Sequence, residues 1–360
     1  MINYKSFLKK VNKFVPEFDN LRILDVGAKG GIIEEFKKIN NFVDYIGFEP
    51  NEAECRKLNF SSLENKKFLP YAIAKNNKQR KLYLHNYSSA HSLYKTNMKK
   101  ISRYWDEENL KIYNEQSVTC VSLDYLYKNK IIDVPNFIKI DVEGAEFEIL
   151  SGASNIISSK DCIGIKLESH FEEWKYNDDG ESNKPFAEID IFLRKLGFTL
   201  FDIKVYRHGK KSLVQPFSLD DGIKKVPGPT EIGKVLWSDS LYLRDPLENM
   251  ENLSNNKNLV KTIILLDLFN QVDTAIEIVK YMSDKNSLYS DLLDEFTIIL
   301  GGKKNIYSKS ENKYKIQNSN KNFKYAQRLL IINNIKINLL RLFTSYIPDN
   351  IIKNLKKFIK

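Results

Sequence analysis

The feature that most constrains this chain is a pattern that starts at residue 22: a short, nearly unbroken apolar run, then an acid or a glycine turn, then a helical stretch. Arg22-Ile-Leu-Asp-Val-Gly opens it, with a helical segment at 32–39, and Tyr45 to Phe48 repeats it, ending in Glu49-Pro50-Asn51 before a helical segment at 52–59. Strands of four to six apolar residues without polar alternation are what a sheet covered by helices on both faces requires. Further strands are expected at 67–73, 81–85, 118–121, 137–140 and 163–168, with helices at 123–129, 145–150 and 187–196. Two late apolar runs, 197–206 and 235–244, are expected to pair and close the sheet, and the Gly- and Pro-containing stretch 207–233 to loop over one end of it. Residues 20–245 therefore form one α/β domain, a doubly wound, Rossmann-like sheet that is mostly parallel.

Around this domain the spacing predicts an N-terminal helical segment (1–19), a helical appendage (246–304) with a turn near Asn270, a polar linker (305–322) and a basic amphipathic tail (323–360). Charge follows the same division. Residues 301–360 hold 14 Lys/Arg and 2 Asp/Glu, whereas the first 300 hold 42 and 44. A near-neutral body with a basic tail argues against a nucleic-acid groove across the main domain and moves any electrostatic partner to the C-terminus. In the tail, Ile351, Ile352, Leu355, Phe358 and Ile359 share a helix face while Lys353, Lys356, Lys357 and Lys360 point elsewhere, which suits an anionic membrane surface or dimerisation. Cys55, Cys120 and Cys162 form no CxxC pair, and no apolar run is long enough for a signal peptide or a span, so the expected location is cytoplasmic or peripheral to a membrane.

The turn Asp25-Val-Gly27-Ala28-Lys29-Gly30-Gly31 sits between strand and helix, where backbone can approach a ligand. It does not satisfy GxGxxG, and a carboxylate at its start would repel a pyrophosphate but suit a ligand with a cationic amine. Glu49 ends the next strand, where α/β nucleotide folds hold ribose hydroxyls. A bare glycine turn has a purely structural explanation; the two acids together fit the aminoacyl and ribose parts of S-adenosylmethionine.

The most specific segment is Phe137-Ile-Lys-Ile-Asp141-Val-Glu143-Gly-Ala-Glu146, followed by the Gly152-Ala153 corner. With LDVGAKGG (24–31), GFEPN (47–51), PYAIAKN (70–76), SSAHSLY (88–94) and VSLDYL (121–126), it resembles the FkbM family of S-adenosylmethionine-dependent methyltransferases over about residues 20–245. Lys29, where family members often carry Asn, and the missing acid before Asn76 depart from the pattern.

The resemblance implies a class I methyltransferase sheet, with the cofactor over the first two strands (Asp25, Gly27, Ala28, Gly31, Glu49, Pro50, Ala72) and the acceptor beside it (His91, Ser92, Glu143, Trp174). Asp141, Glu168 and His170 are the catalytic candidates, as a base for a hydroxyl proton or as ligands for a divalent ion such as Mg2+. The plainer readings are helix caps for Asp141 and Glu143, a surface position for His170 and core for Trp174. The implied activity is O-methylation of a saccharide or nucleotide-activated sugar in polysaccharide biosynthesis. A nicotinamide-dependent oxidoreductase on a similar sheet is the rival enzyme, disfavoured by the missing glycine. A non-catalytic adaptor acting through the tail is the rival from another class, and the retained acids and glycines count against it.

Overall fold

The computed structural model describes residues 15, 18–61, 65–212, 229–230, 233–248 and 255–285. Its strands are β1 (Leu21–Val26), β2 (Val43–Phe48), β3 (Lys66–Leu69), β4 (Ala72–Ile73), β5 (Lys78–His85), β6 (Lys95–Thr96), β7 (Ile112–Val121), β8 (Phe137–Ile140), β9 (Gly164–His170), β10 (Lys175–Tyr176), β11 (Thr199–His208) and β12 (Lys234–Leu243). Seven form one sheet in the order β11-β12-β9-β8-β1-β2-β3. From β9 to β3 the pairs are parallel, and β12 is antiparallel to both of its neighbours. This is the class I methyltransferase arrangement, mostly parallel with one reversed strand.

The chain runs outward from β1 through β2 to β3, then returns to the other side of β1 with β8. At that reversal the connections leave in opposite directions and a crevice opens beyond the carboxyl ends of the strands. The strands are apolar because helices cover them: Leu24, Val26, Phe48, Ile138, Ile140, Ile165 and Leu167 share one buried cluster with residues of four helices, among them Leu123 and Leu126 of the helix Leu123–Lys128. The helix Glu146–Ser151 brings Ile149 and Leu150, the helix Ser154–Ser158 brings Ile156 and Ile157, and Phe186–Lys195 brings Ile189 and Leu193 at i, i+4 spacing.

The region between β3 and β8 departs from a simple alternation. The apolar run 67–73, expected as one strand, is divided at Pro70: β3 joins the main sheet, and β4 joins β7 and β5 in a separate three-stranded sheet. Proline has no N–H to give a sheet ladder, so the run cannot continue through it. The short strands expected at 81–85 and 118–121 are ends of the longer β5 and β7, paired antiparallel along most of their length. The helix expected over 32–39 is a single turn, Glu34–Lys37.

The helices Asn256–Leu268 and Val272–Lys285 meet at Asn270, which adopts a left-handed conformation (φ 60°) where the turn was expected. The first is not loosely appended. Lys261, 2% exposed, donates to Asp19 Oδ2 (2.8 Å) and Asn136 Oδ1 (3.1 Å), and Phe269 stacks on Phe137 at 5.1 Å. Asp19 and Asn136 precede β1 and β8, so this contact lies at the amino ends of the strands, away from the crevice. The expected helix at 3–14, the helical stretch 288–300, the linker 305–322, both basic stretches of the tail and most of the loop 207–233 lie outside the described residues. No helix among the described residues is long and apolar enough to cross a membrane.

One glycine has no substitute for a reason of packing. Gly27 ends β1 with φ +85°, and a Cβ there would stand 2.0 Å from the backbone oxygen of Asp141. Gly30, with φ +84°, has no atom within 4 Å of that position. Both Gly→Ala changes bear a left-handed strain of about 1–3 kcal/mol, but only Gly27→Ala must also push β8 away. Urea unfolding is expected to show Gly27→Ala losing at least about 3 kcal/mol, or failing to fold, and Gly30→Ala losing about 1 kcal/mol. Equal losses would show that the turn's conformation, not its contact with β8, requires glycine at residue 27.

Candidate active site

The carboxyl ends of β1, β2, β8 and β9 bring together the glycine turn, Glu49, Asp141–Glu146 and Glu168–His170. The tie between the two halves is Lys139, a lysine inside the otherwise apolar β8. Its ammonium lies 3.1 Å from Asp25 Oδ1 and 3.5 Å from Asp141 Oδ2, and donates to the Gly27 carbonyl at 2.9 Å. Burial alone would depress the Lys139 ammonium, but the Asp25 and Asp141 carboxylates more than offset it and hold the group above its ordinary value. Asp25, only 1% exposed, also accepts the Tyr45 hydroxyl. Burial pushes the Asp25 carboxyl up against the pull of Lys139 and Tyr45. Asp25 therefore turns inward and supports the glycine turn from beneath, instead of pointing an open carboxylate at a ligand as the spacing suggested.

On the cofactor side, Ala28 is fully buried and its N–H donates to the Phe48 carbonyl at 3.0 Å, which pins the turn to β2. Gly30 and Gly31 both carry positive φ, and the space beside Gly30 is open. Glu49 is 7% exposed, and its Oε1 accepts the Asn51 N–H at 2.8 Å across Pro50. Burial raises its pKa, and Oε2 has no hydrogen bond among the described residues. An open glycine cradle beside a half-satisfied carboxylate fits S-adenosylmethionine, with Glu49 toward the ribose hydroxyls. Ala72, expected in the same role, packs with Ala74, Leu82, Tyr94 and Ala145 beneath the small sheet.

On the acceptor side the turn after β8 is held from within. The Glu146 carboxylate accepts the N–H groups of Val142 (3.2 Å) and Gly144 (3.0 Å), and burial pushes it up to about 7. Neither Asp141 nor Glu143 caps the following helix, whose N-cap is Ala145 without a side-chain bond, so the plain capping explanation fails for both. Glu143 is itself left-handed (φ 63°), and its carboxylate pairs at 2.7 Å with Lys175, whose side chain is entirely buried. Ser92, 1% exposed, donates to the Glu143 carbonyl at 2.8 Å and accepts the Tyr94 N–H at 3.0 Å. Its hydroxyl holds the turn, leaving little for the acceptor contact expected of it.

Glu168 and His170 lie on one face of β9, two residues apart. Burial and the crowding of Glu143, Asp141 and Glu146 raise Glu168 well above the ordinary carboxyl range, while burial and Lys175 push His170 well below the ordinary imidazole range. His170 is 1% exposed and so not a surface residue; its Nε2 stands 3.5 Å from Glu168 Oε1 without a hydrogen bond. The ring meets Trp174 edge-on at 4.7 Å, and Trp174 packs with Ile101, Tyr104 and Leu236 as part of the core. Asp141 differs from all of these, with 48% of its side chain exposed.

His91 precedes Ser92, the residue that holds the Glu143 carbonyl. Its Nδ1 accepts the His85 N–H at 3.1 Å, and burial with the nearby Lys29 lowers its pKa. Lys139, Lys175, Tyr45 and Glu146 were missed in the sequence. The available signal was a lysine between buried isoleucines for Lys139; Lys175 looks like any surface lysine until its strand is placed.

A mostly parallel sheet with one reversed strand, a glycine turn at the reversal and an acid on each neighbouring strand is a Rossmann-like arrangement with its ligand groups at the point of reversal. Residues 25–200 match the family model described as the methyltransferase FkbM domain, and this segment belongs to that family of S-adenosylmethionine-dependent methyltransferases. No curated protein matches the chain. Among solved structures it is similar to a Listeria monocytogenes protein provisionally assigned as an S-adenosylmethionine-dependent methyltransferase (TM-score 0.33, 8% identity, covering 67% of this chain and 99% of that one). It is also similar to magnesium protoporphyrin IX methyltransferase from Synechocystis with bound cofactor (0.30, 9%, 67% and 77%). A third is precorrin-6y C5,15-methyltransferase from Geobacter metallireducens (0.27, 11%, 68% and 91%). At such identities these likenesses say nothing of the acceptor.

Two outcomes are expected. Glu49→Ala should bind S-adenosylmethionine about tenfold or more weakly by calorimetry, since a charge-assisted hydrogen bond contributes about 1.5–3 kcal/mol; unchanged affinity in the folded variant would remove the ribose assignment. The second concerns His85, which is fully buried beside Thr96 and is pushed down to about 3 by burial, with Lys175 and His91 adding. Below about pH 6.5 the unfolded chain gains a proton that the folded chain refuses, so stability falls with acidity until about pH 3. Between pH 7 and 4.5 the wild type should lose on the order of 2 kcal/mol more stability than His85→Gln, and parallel melting curves would contradict this.

Proposed function

We propose that this protein methylates a hydroxyl oxygen of a saccharide or nucleotide-activated sugar, and that Asp141 is the carboxylate that takes the hydroxyl proton. The observation that carries the assignment is the gradient of exposure: the Asp141 side chain is 48% exposed, against 20% for Glu143, 7% for Glu168 and 1% for His170. A group that receives a proton from an acceptor must be reachable by it. Bound S-adenosylmethionine supplies a methyl on a sulfonium, displaced in line by the oxygen. The chain's own part is to hold the acceptor oxygen near Asp141. As the O–C bond forms and the S–C bond breaks, the O–H proton passes to the Asp141 carboxylate and S-adenosylhomocysteine leaves. Lys139 couples this acid to the glycine turn, so the two binding regions keep one spacing.

The saccharide class rests on the family resemblance and on two exposed rings near His91. Tyr113, 62% exposed, lies 6.5 Å from the His91 ring, and Tyr87, 56% exposed, leads into the same loop. Exposed tyrosines suit sugar faces, which stack and hydrogen-bond at once. With an acceptor in hand, Asp141→Asn is expected to lower turnover about 100-fold while leaving S-adenosylmethionine affinity within about twofold. Full turnover in Asp141→Asn would move the proton acceptor elsewhere.

A further inference from the structure

Behind Asp141 lies a second group of side chains with no part in that reaction. Glu143 comes from the turn after β8, and Glu168 and His170 from one face of β9; one ligand atom from each lies within 4.8 Å of the others. The expected metal set was Asp141, Glu168 and His170, but Asp141 turns to Lys139 and Glu143 takes its place. We propose that Glu143, Glu168 and His170 form a binding site for one divalent ion of the Mn2+, Zn2+ or Fe2+ class.

Three observations carry this. The first is the His170 Nε2, a polar atom of a side chain 1% exposed, which has no hydrogen bond and stands 3.5 Å from Glu168 Oε1. An unsatisfied buried nitrogen is costly, and a metal ion would accept its lone pair directly. The second is charge. Glu143 pairs with Lys175, whereas Glu168 has no lysine or arginine partner among the described residues. Two carboxylates with a single ammonium partner are not balanced, and a dication between them would supply the missing charge.

The third is geometry. Ligand bonds of about 2.0–2.2 Å hold neighbouring donors about 3–4 Å apart, so a cluster already within 4.8 Å needs a contraction on the order of 1 Å. The chemical class follows from the donors. Mg2+ and Ca2+ prefer oxygen alone, whereas an imidazole nitrogen with two carboxylates suits the borderline first-row ions. Lys175, 2.7 Å from one Glu143 oxygen, is the built-in competitor for the site.

The test uses the full-length protein, stripped with chelator and titrated with Mn2+ while the free-ion signal is followed by electron paramagnetic resonance; Zn2+ and Mg2+ are run in parallel by calorimetry. One Mn2+ per chain is expected, with Zn2+ competing and Mg2+ at least tenfold weaker. His170→Ala and Glu168→Gln should each weaken Mn2+ at least tenfold, and Lys175→Met should bind it as tightly as wild type or more so. Circular dichroism and S-adenosylmethionine binding report whether each variant is folded; if either fails, His170→Gln takes its place. No Mn2+ bound by the wild type up to about 1 mM, Mg2+ bound as tightly as Mn2+, or affinity unmoved by the folded His170 and Glu168 variants would each overturn the site. Because the readout is the metal, its failure leaves the methyltransferase reading untouched.

Discussion

The site depends on one partly buried ammonium. Lys139 stands on β8, the strand that pairs with β1 where the sheet reverses, and it holds the Gly27 carbonyl, Asp25 and Asp141 at once. A lysine this enclosed is stable only because two carboxylates and a carbonyl surround it, and those groups stay in place only because the lysine does. The cofactor turn and the acceptor acid are thus fixed to each other through a single charge. The contact of Gly27 with the Asp141 backbone makes the same junction sterically exact, since no side chain fits between the two strands.

Around that junction, burial sorts acids that look alike in sequence. Asp141, Glu143, Glu146 and Glu168 lie within 28 residues, yet Glu146 grips backbone N–H groups, Glu143 faces Lys175, burial and the neighbouring acids raise Glu168 well above the ordinary carboxyl range, and of the four Asp141 is the most exposed. The left-handed backbone of Glu143 is part of this sorting. It turns the chain sharply after β8, and Ser92, bridged to Tyr83 of β5 in the small sheet, holds that conformation. Residues of the small sheet therefore shape the acceptor side without having to touch the acceptor.

Much of the main sheet was legible from periodicity, because a strand covered on both faces must be apolar throughout and a strand end at the crevice must carry polar groups. The late antiparallel pair and the turn at Asn270 were legible for the same kind of local reason. The small sheet was not, because β5 and β7 carry exposed polar residues along their outer halves and show short apolar runs only where they meet the core. Ser92 and Trp174 were expected at the acceptor, with core as the alternative for Trp174; both are buried, and nothing in a linear pattern reports that a loop folds inward.

By itself, the sequence determined the order of the elements, the glycine turn, the acids that end the strands and the family to which residues 25–200 belong. These depend on local periodicity, on proline and glycine chemistry and on motif spacing, all of which are written along the chain. Only the tertiary structure decided which carboxylate faces inward, which reaches the crevice and which histidine loses its proton partners. Those outcomes depend on burial and on charges brought together from distant positions: Lys139 meets Asp25 across 114 residues, and Lys175 meets Glu143 across 32. Desolvation and Coulomb energy act through space, so the same side chain takes a different role wherever the fold happens to place it.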